Sequence, residues 1–412
     1  MLRSLPQFIF AALVIGFLLL REAQVQPLAG IEETFINWLA ANSNAEHAPA
    51  PVMLVEVNDN CLMNHPWPWS PLDYASFLDG ALQFHARAAA IEPVLAWDRK
   101  NMTPAQLLKQ PQFEQILHER MRRTAKLELG AELGYPDDPD VLPPIQPMPV
   151  LRDVEGAMAS VPDFTIVDGE PSEELRLMTA LGFANVPPLE TTAEHAQLVF
   201  RYRGQIVPSF VLEGLMLWNG VTADEVEVRL GSAIRLGKKL TIPVNRAGAM
   251  LVDWKQPYDR VGFDDLELAM DQADQLKGGH VTAIDPAKMK DRLMVLARTD
   301  AQSQTLLLPT GRMASAGELF AAALATAETN AFARPAGDIG SAAVLVLGAA
   351  LAWLLAAQKK LWTPPLLLGF AACYLLLSLL VFETARMALP LTPMLGLTVF
   401  VALYRLLGAA AV

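Results

Sequence analysis

The sequence predicts an α/β extracytoplasmic domain with a mixed, partly parallel sheet flanked by helices, plus four transmembrane helices, one before the domain and three after it. Two observations support this class. Short runs of β-branched and aliphatic residues alternate with longer amphipathic segments between Val52 and Phe332. Four apolar stretches lie outside that region, and 52% of the 412 residues are apolar, which is typical of a membrane protein with a large soluble part.

The four predicted transmembrane helices run from Leu5 to Leu20, Ile339 to Ala357, Pro365 to Phe382 and Ala388 to Leu407. Each is about long enough to cross ~30 Å of hydrocarbon, the first with the help of flanking residues. A cleaved signal peptide is the alternative for the first stretch. An uncleaved anchor is preferred because residues 21–24 offer no small-x-small cleavage site.

Basic residues orient these predicted helices. Arg3, the pair Lys359-Lys360 and Arg405 fall on one side, with Arg21 as the one exception, so the positive-inside bias places the C-terminus in the cytoplasm. The predicted organisation is a transmembrane anchor in residues 1–21, a periplasmic domain in 22–336 and three transmembrane helices in 337–412. The chain is therefore assigned to a bacterial inner membrane.

Charge narrows the classes of partner. The chain has 32 basic and 44 acidic residues. Six basic and two acidic residues lie in the predicted spans and their flanks. The exported part therefore has 26 basic and 42 acidic residues, a net charge of −16. Such a balance argues against nucleic acid as a partner and against adhesion to anionic lipid. It attracts a cationic ligand or divalent ion, although solubility explains the charge equally well.

Cysteine content fits the predicted compartment. The chain has only Cys61, in the exported part, and Cys373, inside a predicted span, so no disulfide is expected within the exported domain. A domain of this size can be stabilised by its hydrophobic core without disulfide bonds. The absence of disulfides is compatible with a bacterial periplasm.

The stretch from Val52 to Trp97 organises the predicted domain. Val52 to Val57 is a short aliphatic run that predicts a buried strand, and a rigid Trp-Pro-Trp turn follows at Pro66 to Pro71. A helix with an apolar stripe starts at Pro71, and Ala88 to Ile91 is a second apolar strand. The pattern therefore predicts a β-loop-α-β unit with two parallel strands and a right-handed crossover.

The rest of the domain is predicted as further helices and strands. Pro104 to Leu129 has a helical pattern. The other predicted elements are strands at Val226 to Leu236, Leu240 to Val244, Met250 to Trp254 and Leu293 to Ala297, and an Ala-rich helix at Ala314 to Phe332.

Together these pieces resemble a known family. The strand, the acidic turn Asn58-Asp59-Asn60, the Trp-Pro-Trp turn and its helix, and the strand ending in an acid resemble the opening of the CHASE sensor domain of the second type, the sensory extracellular domain associated with cyclases and histidine kinases. The matches that follow in the same order are Leu181 to Pro187, Arg201 to Arg203, Pro208 to Phe210, Leu240 to Pro243, Ala249 to Val252 and Leu293 to Leu296. The resemblance covers roughly Glu22 to Pro335 and the spans after it.

This resemblance implies a sensor of signal transduction. Family members usually continue into a cytoplasmic cyclase, kinase or diguanylate-cyclase module, whereas this sequence stops at Val412. We therefore expect a membrane-anchored sensor without its own catalytic output, acting through a separate cyclase, kinase or envelope protein. The alternative is a non-sensing structural or scaffold subunit of a cell-envelope complex, which a flat apolar patch without a pocket would favour.

The candidate ligand site lies at predicted strand ends. Asp59 and Glu92 end strands expected to be neighbours, and Trp67 and Trp69 lie in the turn beside them. The hypothesis is a site for a small-molecule or cationic ligand. The alternative is that Asp59 caps the turn and the tryptophans fill the core. Two positions depart from the pattern of the family that the sequence resembles. Glu92 stands where the family usually has Asp, and Arg298-Thr299-Asp300 stands where the family typically has a turn with Gly.

The sequence predicts no catalytic residue, metal site or cofactor. The six histidines, at positions 47, 65, 85, 118, 195 and 280, show neither a His-x-x-x-His motif nor a cysteine at ligand spacing. Small residues on the second predicted span, at Gly340, Ala343, Gly348 and Ala352, allow close helix approach. They predict docking of another membrane protein or of a second copy as a homodimer; packing among the spans of one chain is the alternative.

Overall fold

The computed structural model describes residues 28–43, 48–97, 104–136, 138, 148–187, 192–276, 285–309, 311–335 and 363–391. The chain divides into two compact units. Met1–Glu46 and Ala333–Val412 form one of them, and His47–Phe332 forms the other.

The described helices and strands are numbered in chain order. The helices are α1 Leu28–Asn42, α2 Asp59–Asn64, α3 Pro71–Gln83, α4 Pro104–Arg123, α5 Glu173–Arg176, α6 Phe210–Asn219, α7 Phe263–Leu276, α8 Ala316–Glu328 and α9 Thr363–Ala385. The strands are β1 Val52–Val57, β2 Ala88–Ile91, β3 Leu127–Gly134, β4 Asp153–Glu155, β5 Asp163–Phe164, β6 Ile166–Gly169, β7 Ala180–Phe183, β8 His195–Gln197, β9 Val199–Tyr202, β10 Gln205–Pro208, β11 Val226–Arg229, β12 Ala233–Leu236, β13 Leu240–Pro243, β14 Ala249–Leu251, β15 Asp259–Gly262, β16 Leu293–Arg298, β17 Thr305–Leu307, β18 Met313–Ser315, β19 Arg334–Pro335 and β20 Met387–Ala388.

The largest described sheet is mixed and mostly parallel, and the domain is α/β. Its strand order is β15-β1-β16-β2-β3-β6, and β7 also pairs with β3. All neighbouring strands are parallel except β6, which runs antiparallel to β3. β1 and β2 are parallel, as the β-loop-α-β pattern predicts, but β16 lies between them. The two strands are therefore not neighbours.

Helices cover both faces of this sheet. Met53, Val55 and Leu296 point to the face on which α3, α4 and α7 pack. Leu54 and Val295, one position away along β1 and β16, point to the opposite face and pack with α6 and α8. Because both faces are covered, the central strands are apolar at nearly every position instead of alternating with polar residues.

The start of α3 is encoded locally. Pro71 occupies the first turn, and Ser70 and Asp73 form a capping box in which each satisfies an N–H of the other. Ser70 N–H donates to Asp73 Oδ2 over 2.8 Å, and the Ser70 hydroxyl donates to the same oxygen over 2.7 Å. The Trp-Pro-Trp turn is therefore joined to a helix with a fixed starting residue.

Smaller sheets complete the domain. Their strand orders are β13-β12-β11-β4, β10-β9-β5, β14-β8 and β17-β18. The predicted strand from Val226 to Leu236 is in fact the antiparallel pair β11 and β12. The chain reverses at Gly231, which adopts a φ of +81° that L side chains rarely adopt.

The predicted helix from Pro104 to Leu129 extends too far. Helix α4 ends at Arg123, and Leu127 begins β3, which pairs with β2, β6 and β7. The sequence of β3, Leu-Glu-Leu-Gly-Ala-Glu-Leu-Gly, contains no β-branched or aromatic residue. Its strand conformation therefore comes from tertiary pairing and not from local propensity.

The prediction of four transmembrane helices is wrong. Among the helices of the described residues, none has both the length and the apolar content to cross a bilayer. The third predicted span, Pro365 to Phe382, coincides with α9, where Phe382 is buried in a cluster with Phe35 and Leu39 of α1. The first, second and nearly all of the fourth predicted spans lie outside the described residues.

Candidate functional site

The carboxyl ends of three adjacent parallel strands form the candidate site. Asp59 follows β1, Glu92 follows β2, and Arg298, the last residue of β16, lies between them. The expectation that Asp59 and Glu92 end neighbouring strands is therefore corrected: a strand from much later in the chain separates them. Because the carboxyl ends of parallel strands meet at one edge, the loops after all three strands converge there.

Arg298 is the centre of this edge. Its guanidinium forms a two-point ion pair with Asp300, with Nε–Oδ1 at 2.8 Å and Nη2–Oδ2 at 2.7 Å. The same guanidinium carbon lies 4.4 Å from the centroid of the Trp67 ring, a cation–π contact. The Arg298 guanidinium is thus held in one orientation by the Asp300 carboxylate and the face of the Trp67 ring.

Asp300 stays ionised despite complete burial of its side chain. Burial alone would raise the pKa of this carboxyl. The hydrogen bonds and charge of Arg298, with a further hydrogen bond from the Gln302 N–H at 3.0 Å, outweigh burial, so the pKa of Asp300 lies below its ordinary value. The pair is therefore a permanent ionic feature of the site.

The carboxylate of Glu92 contacts the backbone of the same arginine. The Arg298 N–H donates to Glu92 Oε2 over 3.4 Å. Burial raises the pKa of Glu92 to about 7, and the Arg298 N–H opposes this shift only in part. Glu92 therefore changes charge near neutral pH. The backbone of β3 passes close by, since a Cβ on Gly130 would lie only 2.1 Å from the Glu92 carbonyl oxygen.

Asp59 is exposed and joins two of the loops. Its Oδ1 accepts the N–H of Ala301 over 3.2 Å, which links the end of β1 to the loop after β16. The neighbouring Asn58, and not Asp59, caps α2, because Asn58 Oδ1 accepts the Cys61 N–H over 3.0 Å. The alternative interpretation, in which Asp59 caps the turn, does not match this geometry.

The two tryptophans of the turn differ in environment. Trp69 is 2% exposed, and its ring lies 4.6 Å from that of Phe263 and 5.5 Å from that of Tyr74. Trp67 is half-buried and faces Arg298. The peptide bond between Trp67 and Pro68 is cis. Trp69 is thus a core residue, and Trp67 belongs to the strand-end site.

The structure therefore brings together some of the predicted site residues. Trp67 and Glu92 both contact Arg298, and Asp59 contacts the adjoining loop at Ala301. Trp69 lies in the core below them. Within the described residues, no group of three or more His, Cys, Asp or Glu side chains has a geometry that could hold a metal ion. The arrangement offers an aromatic face, one paired cation and several carboxylates, which suits binding of a small polar or cationic molecule.

One groove of the described residues lies elsewhere. It has a volume of ≈ 460 Å³ and lies between α3, α4 and α7, with Ser76, Asp79, Arg123 and Asp271 in its lining. None of the four predicted site residues lines it. Asp79 in this groove is held by Arg120, whose Nε lies 2.5 Å from Asp79 Oδ1.

Sequence reasoning did not identify Arg298 and Asp300 as site residues. They were noted only as a difference from the family pattern. The available signal was a buried strand followed at once by an Arg and an Asp two positions apart. Its meaning depends on β16 pairing with β1 and β2, which are more than 200 positions away in the sequence.

Comparison with known proteins agrees with the architecture. The model of a family described as the CHASE2 domain matches residues 10–357, which is most of the chain and includes all the strands of the largest sheet. No curated protein and no solved structure matches the chain. CHASE2 is a sensory extracellular domain. On this match, the chain belongs to the CHASE2 domain family.

Proposed function

We propose that this chain is an extracytoplasmic sensor and that its domain binds a small cationic ligand at the carboxyl ends of β1, β16 and β2. Family membership supports the sensory role. The observation that carries the ligand site is the convergence of Trp67, Glu92 and Asp300 on Arg298, with Asp59 on the adjoining loop.

Charge favours a cation as the ligand. Asp300 already neutralises Arg298, so Asp59 and the ionised form of Glu92 leave the edge acidic. The whole chain also carries a net charge of −12, which raises the local concentration of cations. The contact between the Arg298 guanidinium and the Trp67 ring supports a cation as the type of ligand.

Calorimetric titration of the purified full-length chain tests this site. The probes are guanidinium chloride and tetramethylammonium chloride, each at constant ionic strength. We expect at least one probe to bind to wild type, and Asp59→Asn to weaken that binding by about tenfold, which corresponds to ~1.4 kcal/mol. Asp224→Asn is the matched control, because Asp224 pairs with Arg152 at an exposed position away from the site. Equal binding by Asp59→Asn and wild type, or no binding of any probe, contradicts the proposal.

The compartment has its own test. A reporter inserted near Gly220, an exposed left-handed residue after α6, should be active only outside the cytoplasm. Activity inside the cytoplasm would contradict the extracytoplasmic placement of the domain.

The signalling partner and the absence of catalysis stay predictions from the sequence. A separate cyclase, kinase or envelope protein, or a second copy of this chain, is expected to receive the signal. The small residues Gly340, Ala343, Gly348 and Ala352 proposed for docking lie outside the described residues. Crosslinking in intact cells followed by mass spectrometry tests this expectation, and recovery of the chain only as a monomer contradicts it.

A further inference from the structure

A groove of ≈ 460 Å³ lies between α3, α4 and α7. These helices cover one face of the largest sheet, and α3 packs against both of the others. α3 therefore contributes the floor of the groove, and α4 and α7 contribute its walls. Small-molecule sites in proteins have volumes of ~300 to 1,000 Å³, so the groove is large enough for a compact ligand. Which ligand fits depends on the lining side chains that lack a partner.

The α4 wall changes from paired to unpaired charge within one helical turn. Arg120 forms ion pairs with Asp79 on α3, with Nε–Oδ1 at 2.5 Å, and with Glu119, with Nη1–Oε1 at 3.3 Å. Arg123 lies three positions later and therefore on the same side of α4. It lines the groove, and its guanidinium has no ion-pair or hydrogen-bond partner in the described part of the chain. Arg123 thus leaves an open positive charge at the groove.

The α7 wall has the same arrangement with the opposite charge. Glu267 Oε1 accepts a hydrogen bond from the Ser76 hydroxyl of α3 over 2.6 Å. Asp271 lies four positions later on the same side of α7 and lines the groove. Its carboxylate has no cation or hydrogen-bond donor among the residues that the structure describes. Because Arg120 already neutralises Asp79, the open charges of the lining are one guanidinium on α4 and one carboxylate on α7.

Two apolar side chains complete the lining. Leu82 on α3 and Met270 on α7 are both half-buried and contribute apolar surface to the groove. The backbone at Met270 is tied to α3, since its carbonyl accepts a hydrogen bond from Gln83 Nε2 over 3.4 Å. Ligand sites commonly combine apolar surface with a few polar groups that fix the orientation of the ligand. The groove has this combination, with one polar group of each charge.

We propose that this groove is a second ligand site and that it binds a small zwitterion with an apolar side chain, such as an α-amino acid. The ligand carboxylate pairs with Arg123, the ligand ammonium pairs with Asp271, and the side chain contacts Leu82 and Met270. A ligand with a single charge would leave the other open charge of the lining without a partner. This inference goes beyond the cation site at the strand ends, because the two sites share no residue.

Calorimetric titration of the purified full-length chain at pH 6 tests the class of ligand. The probes are leucine, leucinamide, which lacks the carboxylate, and 4-methylpentanoate, which lacks the ammonium. An α-amino group has an ordinary pKa of about 8 and a carboxyl group one of about 3.5, so both charges of leucine are present at this pH. We expect leucine to bind about tenfold more tightly than either analogue, which corresponds to ~1.4 kcal/mol. No binding of leucine, or equal binding of leucine and either analogue, would overturn the proposal.

Substitutions at the two walls test the assignment of each charge. Arg123→Gln should weaken leucine by about tenfold and leave leucinamide unchanged, and Asp271→Asn should weaken leucine equally and leave 4-methylpentanoate unchanged. Both side chains are exposed, so neither substitution empties the core. Arg122→Gln is the matched control, because Arg122 is also exposed at the end of α4 and is not among the lining residues. Unchanged leucine binding in Arg123→Gln, or an equal loss in Arg122→Gln, contradicts the proposal.

Hydrogen exchange of the wild-type chain locates the bound leucine without any variant. Peptides that cover residues 76–83 and 267–273 should gain protection when leucine is added, and a peptide over residues 226–236 should not change. Protection at residues 298–302 in place of the helices would put leucine at the strand ends and contradict the groove. Asp59→Asn, which tests the cation site, should leave leucine binding unchanged, so failure of one site is distinguishable from failure of the other.

Discussion

Two fully buried carboxyl groups, one in the largest sheet and one in the loop after β16, have opposite electrostatic environments. The Asp300 side chain is 0% exposed, yet its ion pair with Arg298 keeps the pKa below the ordinary value. Glu128, in β3, is also 0% exposed, and neither of its carboxyl oxygens has a hydrogen-bond partner among the described residues. Burial, with a smaller contribution from the charge of Glu213, raises the pKa of Glu128 well above the ordinary value. The comparison shows that a specific partner, and not burial, decides the charge of a buried carboxyl.

The surroundings of Glu128 consist of closely packed backbone. A Cβ on Gly182 of β7 would lie 2.2 Å from Glu128 Oε1, and a Cβ on Gly214 of α6 would lie 2.9 Å from Oε2. Glycines on two different elements thus make room for one carboxyl group. Glu213 on α6 has its own pKa raised to about 7 by burial, so this region favours neutral acids.

The largest expected effect comes from removing the partner of Asp300. Arg298→Ala leaves an ionised carboxylate buried and unpaired, and we expect it to lower the free energy of unfolding by ~3 to 5 kcal/mol at pH 7. Denaturant unfolding measures this loss. Arg235→Ala removes an exposed ion pair with Glu227 and should cost less than about 1 kcal/mol. Similar losses in the two variants would mean that the Arg298–Asp300 pair has no special role.

The pH dependence of stability should have opposite signs at the two carboxyls. Because the folded-state pKa of Glu128 is raised, wild type loses stability as the pH rises above about 4.3, by up to ~1.4 kcal/mol per pH unit until that folded-state pKa is passed. Glu128→Gln should remove this loss and become more stable than wild type in alkaline solution. Because the pKa of Asp300 is lowered, its contribution is present above about pH 4 and is lost as the pH falls through its folded-state pKa. Asp300→Asn should therefore remove an acid-side loss.

Unfolding free energies measured from pH 3 to pH 9 distinguish the two cases. The difference between Glu128→Gln and wild type should grow with pH, and that between Asp300→Asn and wild type should change only on the acid side. If the difference in unfolding free energy between Glu128→Gln and wild type does not vary with pH, Glu128 has an electrostatic partner in solution.

The fit of Glu128 between two glycines gives a smaller effect. Gly214→Ala places a methyl group 2.9 Å from Glu128 Oε2 and 3.3 Å from Leu324 Cδ2, so we expect a net loss of ~1 to 2 kcal/mol through overcrowding. In a Glu128→Ala background the crowding disappears, and the same substitution should be neutral or stabilising, because alanine exceeds glycine in helix propensity by about 1 kcal/mol. A double-mutant cycle measures this coupling. Equal effects of Gly214→Ala in both backgrounds would mean that Leu324 and not Glu128 sets the limit.

These comparisons also explain which parts of the molecule were predictable from sequence. β1, β2 and the start of α3 carry local signals: a β-branched run, an alanine-rich run, and the Ser70, Pro71 and Asp73 cap. The order of β16 between β1 and β2 depends on pairing between distant segments, so no local pattern contains it. Trp67 and Glu92 were predicted as site residues, whereas their common partner Arg298 required that pairing.

Other errors have a single physical cause. The strand β3 was predicted to begin inside a helix because Leu127-Glu128-Leu129 has no strand preference, and only its neighbours make it a strand. Glu128 was overlooked for the same reason, since burial is a property of the sheet.

The smallest expected effect separates the two tryptophans. If both tryptophans filled the core, either Trp67→Ala or Trp69→Ala would cost ~3 to 5 kcal/mol by emptying a core position. Since only Trp69 is fully buried, that cost should apply to Trp69→Ala alone. Trp67→Ala removes a half-buried ring and its contact with Arg298, worth about 0.5 to 2 kcal/mol. Arg298 keeps both hydrogen bonds to Asp300 in this variant, so the ion pair should survive and the pH dependence that arises from Asp300 should be unchanged. Denaturant unfolding at pH 7 and pH 4 measures both quantities. A loss for Trp67→Ala as large as that for Trp69→Ala, or a changed acid-side dependence, would mean that the aromatic ring and not Asp300 holds Arg298 in place.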